Sequence, residues 1–145
     1  NNSLSSLDKK SIGREYFSPN EYKQFYKTGF KTIDTILLKI FEKNKLRAYI
    51  TYTYLIEMQK MFQKSFAILK EKGYFIMVIG NNTIAGYEFM TYKYLIEIAE
   101  KIGFSTELVL IDDIKSRGLM TKRNKTASVI SREYIVIFSK DTNEK

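Results

Sequence analysis

Apolar side chains recur along this chain with two different periods, and the changes of period mark out its elements. The first residues, 1–17, are polar and weakly patterned and read as an arm or loop. At Ser18 the pattern changes. Ser18 can serve as an N-cap, Pro19 takes the first helical position, and Glu21 closes a capping box. A helix is therefore expected from there to about Phe41, with Phe25, Ile33, Ile36, Leu37 and Ile40 on its apolar side. A second helix is expected over Leu46–Lys72, where Leu55, Met58, Phe62, Phe66 and Leu69 recur at steps of three and four. Lys70 and Lys72 lie near its end, and Gly73 is placed to cap it.

Tyr74 to Ile79 is a continuous apolar run, as expected of a strand buried on both faces in a parallel sheet. Gly80-Asn81-Asn82-Thr83 interrupts it. A third helix is expected over Phe89–Ile102, with Tyr94, Leu95, Ile98 and Ile102 inward and Gly103 at its end. Two more strands are expected, Thr106–Ile111 and Glu133–Phe138, and the tail 141–145 reads as frayed. Helix, helix, strand, helix, strand, loop, strand is the order of an α/β sheet with helices on its faces. No internal repeat or low-complexity segment interrupts residues 18–140, which read as one body.

Composition narrows the chemistry. The chain has 145 residues, 44% hydrophobic and 28% charged, ordinary for one globular domain or a large piece of one. It contains no Cys and no His, which excludes disulfides, Cys- or His-based zinc sites and the Ser-His-Asp and Cys-His hydrolase arrangements. No apolar run approaches the roughly 20 residues of a membrane span, and no signal-peptide pattern opens the chain. A cytoplasmic location is expected. The missing initiator Met fits a chain cut from something longer, and processing explains it equally well. Net charge is +8, which favours a polyanionic partner. A Lys-rich coding bias would give the same total, so the clustering of charge says more.

Two places could carry chemistry. Gly80-Asn81-Asn82-Thr83 follows a strand directly, and ligands of open α/β sheets bind beyond the carboxyl ends of strands. Asn amides offer donors and acceptors there, although Gly and Asn are also ordinary turn residues. The second place is the stretch from Ile114 to Arg132. It holds Lys115, Arg117, Lys122, Arg123, Lys125 and Arg132 with no Asp or Glu, interleaved with hydroxyls and the Asn124 amide. That composition suits a loop that contacts phosphates, or a solvated basic loop between two strands. Tyr49, Tyr52 and Tyr54 read as packing. Asp112-Asp113 reads as a strand-end turn or as partners for a nearby Lys or Arg, since no further metal ligand accompanies them.

The run Leu69-Lys70-Glu71-Lys72-Gly73-Tyr74-Phe75-Ile76-Met77-Val78-Ile79-Gly80-Asn81-Asn82-Thr83 resembles the segment after the catalytic motif in prokaryotic DNA methyltransferases that modify adenine N6 or cytosine N4. Glu71-Lys72 replaces the family's Pro-Gly. Thr91 to Phe104 resembles the family's helix ending in Gly-Phe. Ile114-Lys115-Ser116-Arg117-Gly118-Leu119, Lys122-Arg123-Asn124-Lys125 and Ile130-Ser131-Arg132-Glu133-Tyr134-Ile135 resemble the closing Arg-Asn loop and final strand of one branch. The match covers roughly Arg47 to Ser139. The strand motif alone is weak, because RNA and small-molecule methyltransferases share it.

The resemblance implies a partial Rossmann-like methyltransferase sheet made of C-terminal strands with flanking helices. Tyr74 to Ile79 would be its fifth strand, and the last strand would insert beside the fifth at the antiparallel end. It implies S-adenosylmethionine as cofactor, DNA as partner and a role in restriction-modification. Gly80, Asn81 and Asn82 would border the base pocket or the cofactor. Lys115, Arg117, Lys122, Arg123, Asn124 and Lys125 would touch DNA. No catalytic residue carries over. The family holds its target base with a Pro-Pro-containing motif, and this chain has a single proline, Pro19. The Gly-rich cofactor loop is also absent. The strand with the Pro-Pro motif is expected just before Asn1, and the first three strands with the cofactor loop on the same parent chain or on a partner, so the chain alone is expected to be inactive and to need a partner chain or self-association to complete its sheet. A non-catalytic nucleic-acid-binding subunit and an RNA methyltransferase fragment are the alternatives.

Overall fold

Helix formation begins later than the Ser18-Pro19 signal predicts. The computed structural model describes residues 7–114 and 132–140, and α1 runs from Lys31 to Lys43. The capping box forms only as a turn: the Glu21 carboxylate accepts the Ser18 N–H at 2.7 Å, and the Glu21 N–H bonds the Ser18 carbonyl at 2.9 Å. Nothing propagates it, because a first turn is costly without an apolar stripe to bury, and Lys23, Gln24 and Lys27 break the stripe. The true start is organised by Asp34. Its carboxylate accepts the Thr28 N–H and hydroxyl, both at 2.7 Å, and the Gly29 N–H at 3.2 Å. That fixes a non-helical approach and leaves a negative charge at the helix N-terminus. Ile33, Leu37 and Ile40 are then fully buried, and Phe25 stays outside the helix.

Asn44 serves two helices. Its N–H bonds the Ile40 carbonyl at the end of α1. Its side-chain oxygen accepts the Arg47 N–H at 3.0 Å and its carbonyl accepts the Ala48 N–H at 3.1 Å, which starts α2, Lys45–Ile68. Ala48, Thr51, Leu55, Met58 and Phe62 form the buried stripe. The chain divides into two compact units, 1–58 and 59–145, with the boundary inside α2.

α2 ends four residues earlier than expected. The Lys140 ammonium donates to the carbonyls of Phe66 and Leu69, each at 3.0 Å, satisfying two orphan acceptors of the last turn. Gly73 is not the left-handed cap; that conformation belongs to Lys72, with φ 58°. Gly73 is required for space, since a Cβ there would lie 2.7 Å from the Lys70 carbonyl oxygen.

Three strands follow: β1, Tyr74–Gly80; β4, Ser105–Asp113; and β5, Arg132–Ser139. They form one antiparallel sheet in the order β1-β5-β4. The final strand thus lies between the other two, beside the strand that the family resemblance names the fifth. The architecture is mixed α/β. β1 departs from its expected burial. It pairs antiparallel, and only one of its faces is packed: Phe75 and Met77 are half-buried and Ile79 is buried, while Tyr74, Ile76 and Val78 are exposed by 65%, 60% and 60%. The sequence run is apolar on both faces, and an apolar pattern does not by itself supply a cover.

The packed face is aromatic. Phe62 of α2 meets Phe75, Phe104 and Phe138 edge-on, at ring centroid distances of 5.9, 6.0 and 5.8 Å. Phe66 meets Phe104 at 5.0 Å. Edge-to-face pairs of this kind add about 0.5–1.5 kcal/mol each beyond burial. α3, Thr91–Ile102, buries Thr91, Leu95, Ile98 and Ala99. It ends at Gly103, whose φ of 125° and whose 3.1 Å gap between a built Cβ and the Phe66 ring both require glycine.

Between β1 and α3 the sequence reading missed a hairpin. β2, Asn82–Ile84, pairs with β3, Tyr87–Phe89, across a two-residue turn at Ala85 (φ 52°) and Gly86 (φ 86°). Positive φ at both positions is the geometry of a tight hairpin turn, but Asn-Gly is its usual signal and Ala-Gly is not. Phe89 therefore belongs to a strand, and α3 starts two residues later than predicted.

Candidate functional site

The register of the sheet brings Gly80 and the described feet of the basic stretch, Asp113 and Arg132, to one end of it. Gly80 pairs with Glu133, Asp112 pairs with Glu133, and Asp113 pairs with Arg132. The carboxyl ends of β1 and β4 and the start of β5 therefore lie together. Gly80 closes β1, Asn81 links it to the hairpin, and Asn82 opens β2 opposite Phe89. Gly80–Asn82 is thus a strand-to-hairpin junction and not an isolated turn.

Asn81 is the unusual residue here. Its Nδ2 donates to the Met90 Sδ at 3.3 Å, a weak acceptor, and its Oδ1 is buried with no hydrogen-bond partner among the described residues. A buried acceptor left in this way costs about 1–3 kcal/mol unless something donates to it. The Asn82 side chain is used locally, accepting the Thr83 N–H at 2.8 Å. Nearby, Tyr92 of α3 lies flat on Tyr134 of β5, with centroids 3.8 Å apart and planes 7° from parallel. Tyr134 is buried, so it backs the more exposed Tyr92. Sequence reading gave neither tyrosine a role, because only the fold brings residues so far apart in the chain together.

The predicted DNA-contacting residues Lys115, Arg117, Lys122, Arg123, Asn124 and Lys125 lie outside the described residues. The feet of their segment are described. Arg132 Nε donates to Asp113 Oδ1 at 2.6 Å across β4 and β5, with both side chains exposed. This hydrogen bond, and then the carboxylate charge, push the Arg132 pKa further up. Asp113 is thus the ion-pair partner that its sequence context suggested. The basic segment leaves and re-enters the sheet at the same end as Gly80–Asn82. Among the described residues no group of three or more Asp or Glu could hold a metal ion, and no helix is long and apolar enough to cross a membrane.

The tyrosines of the first unit pack, as expected. Tyr26 stacks on Tyr52 at 5.3 Å and lies beside Tyr49 at the same distance, and Phe17 meets Tyr49 edge-on at 4.9 Å. Burial pushes the Tyr54 hydroxyl up in pKa; burial and then the Glu21 charge do the same for Tyr49. The cavity among Phe25, Tyr26, Phe41, Ala48, Tyr49 and Tyr52 has room for about one water molecule.

Among solved structures, a proposed DNA modification methylase from Thermus thermophilus matches. Its crystal structure superposes with a TM-score of 0.51 at 19% identity, over 71% of this chain and 43% of the methylase. The chain has the fold of part of that protein. Its complex with S-adenosyl-L-methionine gives a TM-score of 0.49 at 18% identity, over 70% and 42% of the two chains. Its selenomethionine derivative gives 0.47 at 17%, over 63% and 38%. The chain therefore spans less than half the length of the methylase. No protein-family model matches the chain, and no curated protein does. At such identity the likeness concerns fold, and the chemistry must be argued from this chain's own residues.

Proposed function

We propose that this chain is the C-terminal part of a Rossmann-like, S-adenosylmethionine-dependent DNA methyltransferase that modifies the exocyclic amine of adenine or cytosine, within restriction-modification. The observation that carries this reading is the shared fold with the Thermus methylase, joined to the insertion of β5 beside β1 that the sequence resemblance implied. In this reading Gly80, Asn81 and Asn82 border the base pocket, and the amide of Asn81 meets a donor there that the described residues do not supply. The basic segment that starts and ends at the same sheet end holds DNA phosphates through Lys115, Arg117, Lys122, Arg123 and Lys125, with Asn124 among them.

The cofactor fits this chain only at its margin. A charged methionine joined to a nucleoside needs many donors and acceptors, and among the described residues the strand end offers one buried side-chain acceptor without a partner, Asn81 Oδ1. Most of its site is assigned to residues elsewhere, as is the Pro-Pro motif that would hold the flipped base. Among the described residues β1 is paired on one side only, which leaves an edge for the strands that complete such a site. When bound, the cofactor would supply the transferable methyl group, and this chain would orient nucleic acid beside it.

The test is binding to a fluorescent DNA duplex over a range of salt concentrations. Each phosphate neutralised contributes about 0.9 to the log-log slope, so Arg123→Ala with Lys125→Ala should flatten it by about 1.8. An unchanged slope removes the loop assignment. Stronger competition by structured RNA than by duplex DNA would move the reading to RNA methylation. The other reading is a non-catalytic binding subunit. It keeps the salt slope but gives no methyl transfer when the remaining strands are supplied.

A further inference from the structure

One exposed arginine at the foot of the basic stretch is held from two sides. Arg132 of β5 and Asp113 of β4 are paired in the register of the sheet. Arg132 Nε donates to Asp113 Oδ1 at 2.6 Å, although the two side chains are 51% and 66% exposed. The Asp113 hydrogen bond, the Asp113 charge and then a hydrogen bond to the Tyr134 hydroxyl raise the pKa of the guanidinium. Tyr134 is itself buried, and its ring lies flat on Tyr92 with centroids 3.8 Å apart, so the group that carries this hydroxyl is fixed by packing. An exposed ion pair stabilises a fold little. Its effect here is to orient a long side chain in advance of any ligand, which lowers the entropy lost on binding.

The feet of the stretch differ in charge from the stretch itself. Residues 114–131 hold Lys115, Arg117, Lys122, Arg123 and Lys125 and no carboxylate, whereas Asp112, Asp113 and Glu133 stand at the feet. Asp112 pairs with Glu133, and the alternation of side chains turns both to the face opposite Asp113 and Arg132. A carboxylate beside a guanidinium repels a phosphate, so this foot is poorly suited to the nucleic-acid backbone. It suits a base edge. The Nη groups of Arg132 can donate to two acceptors while Asp113 accepts from an amino group. In the major groove a G·C pair presents these together: guanine N7 and O6 accept, and the cytosine amino group donates. We infer that Arg132, oriented by Asp113 and the Tyr134 hydroxyl, reads the guanine of a G·C pair in the major groove of duplex DNA, with Asp113 accepting from the paired cytosine. Phosphate contacts and base reading are thereby divided between the stretch and its foot. The inference rests on the proposed function and adds to it a pair of residues that sets sequence preference.

Selection of duplexes from a pool with randomised positions by the 145-residue chain tests it, followed by competition against duplexes in which each selected G·C pair is changed in turn to A·T. One G·C position should be preferred by about five- to 150-fold. Arg132→Ala should abolish that preference and leave the log-log salt slope unchanged, because it gives up no phosphate contact. Arg132→Lys should not restore the preference, since an ammonium lacks the planar fork of donors. Asp113→Ala should lower the preference yet bind mixed-sequence DNA at least as tightly, because a negative charge beside a polyanion is gone. Both positions are exposed, so far-UV circular dichroism should be unchanged. A preference that survives Arg132→Ala overturns the inference. So does a slope that falls by about 0.9 in that variant, which would make Arg132 a phosphate contact. Salt-dependent binding without a G·C preference overturns this inference alone, whereas no salt-dependent binding to duplex DNA overturns it together with the proposed function.

Discussion

The two faces of the three-stranded sheet carry the same class of side chain in different surroundings. On one, Phe75, Ile79, Val136 and Phe138 alternate with the outer residues, and Phe75 and Phe138 meet Phe62 and Phe104. On the other, Ile76, Val78, Leu108 and Leu110 are about half exposed. An apolar side chain stabilises a fold only when a neighbour removes it from water, so equal hydrophobicity has unequal consequences. Most of the stability of this unit should therefore come from one face.

Substitution on each face tests that difference most directly. Phe62→Ala should cost about 3–5 kcal/mol in urea unfolding through the cavity it leaves. Ile76→Ser should stay within about 0.5 kcal/mol. Similar losses at the two sites would break the comparison. Gly103→Ala comes next. It forces a side chain into a positive-φ backbone against the Phe66 ring and should cost about 1–3 kcal/mol. Lys140→Met, which deprives two carbonyls at the end of α2 of their donor, should cost about 1–2 kcal/mol in the same assay. A neutral result would mean that water caps this helix as well as the ammonium does.

The smallest effect concerns pH and belongs to the first unit, which serves as a control for the sheet. Burial raises the Tyr54 pKa above its ordinary value of 10.0. Above that pH the unfolded chain loses this proton while the folded chain keeps it, so the contribution to stability is complete below about pH 10 and declines as pH rises. Tyr54→Phe should remove part of the alkaline loss of stability without changing the difference between the sheet faces. An identical alkaline profile would show that the hydroxyl titrates as if exposed.

Reading the sequence located the main elements because their signals were strong and local. The stripe at Leu55, Met58 and Phe62, the run at Tyr74–Ile79 and the end of α3 at Gly103 all reappear. The failures were also local in origin. Ser18-Pro19-Asn20-Glu21 held a valid helix start, but a cap cannot sustain a helix without a buried stripe. Ala85-Gly86 lacked the usual residues of its turn. Of the candidate site, Gly80–Asn82 could be read as a strand end, whereas the orphaned Asn81 oxygen and the Tyr92–Tyr134 stack could not, because they depend on contacts between separate elements.

By itself, then, the sequence determined which segments could bury apolar surface, where backbone geometry demanded glycine at Gly103, and which side-chain chemistries were excluded by having no Cys or His. These follow from local periodicity, local backbone sterics and residue identity. Only tertiary structure decided that β5 enters between β1 and β4, that one apolar face is covered and its twin exposed, and that Asp113 and Arg132, the feet of the basic segment, lie at the same end of the sheet as Gly80. Pairing, cover and convergence are relations between distant segments, and their free energy exists only once those segments are in contact.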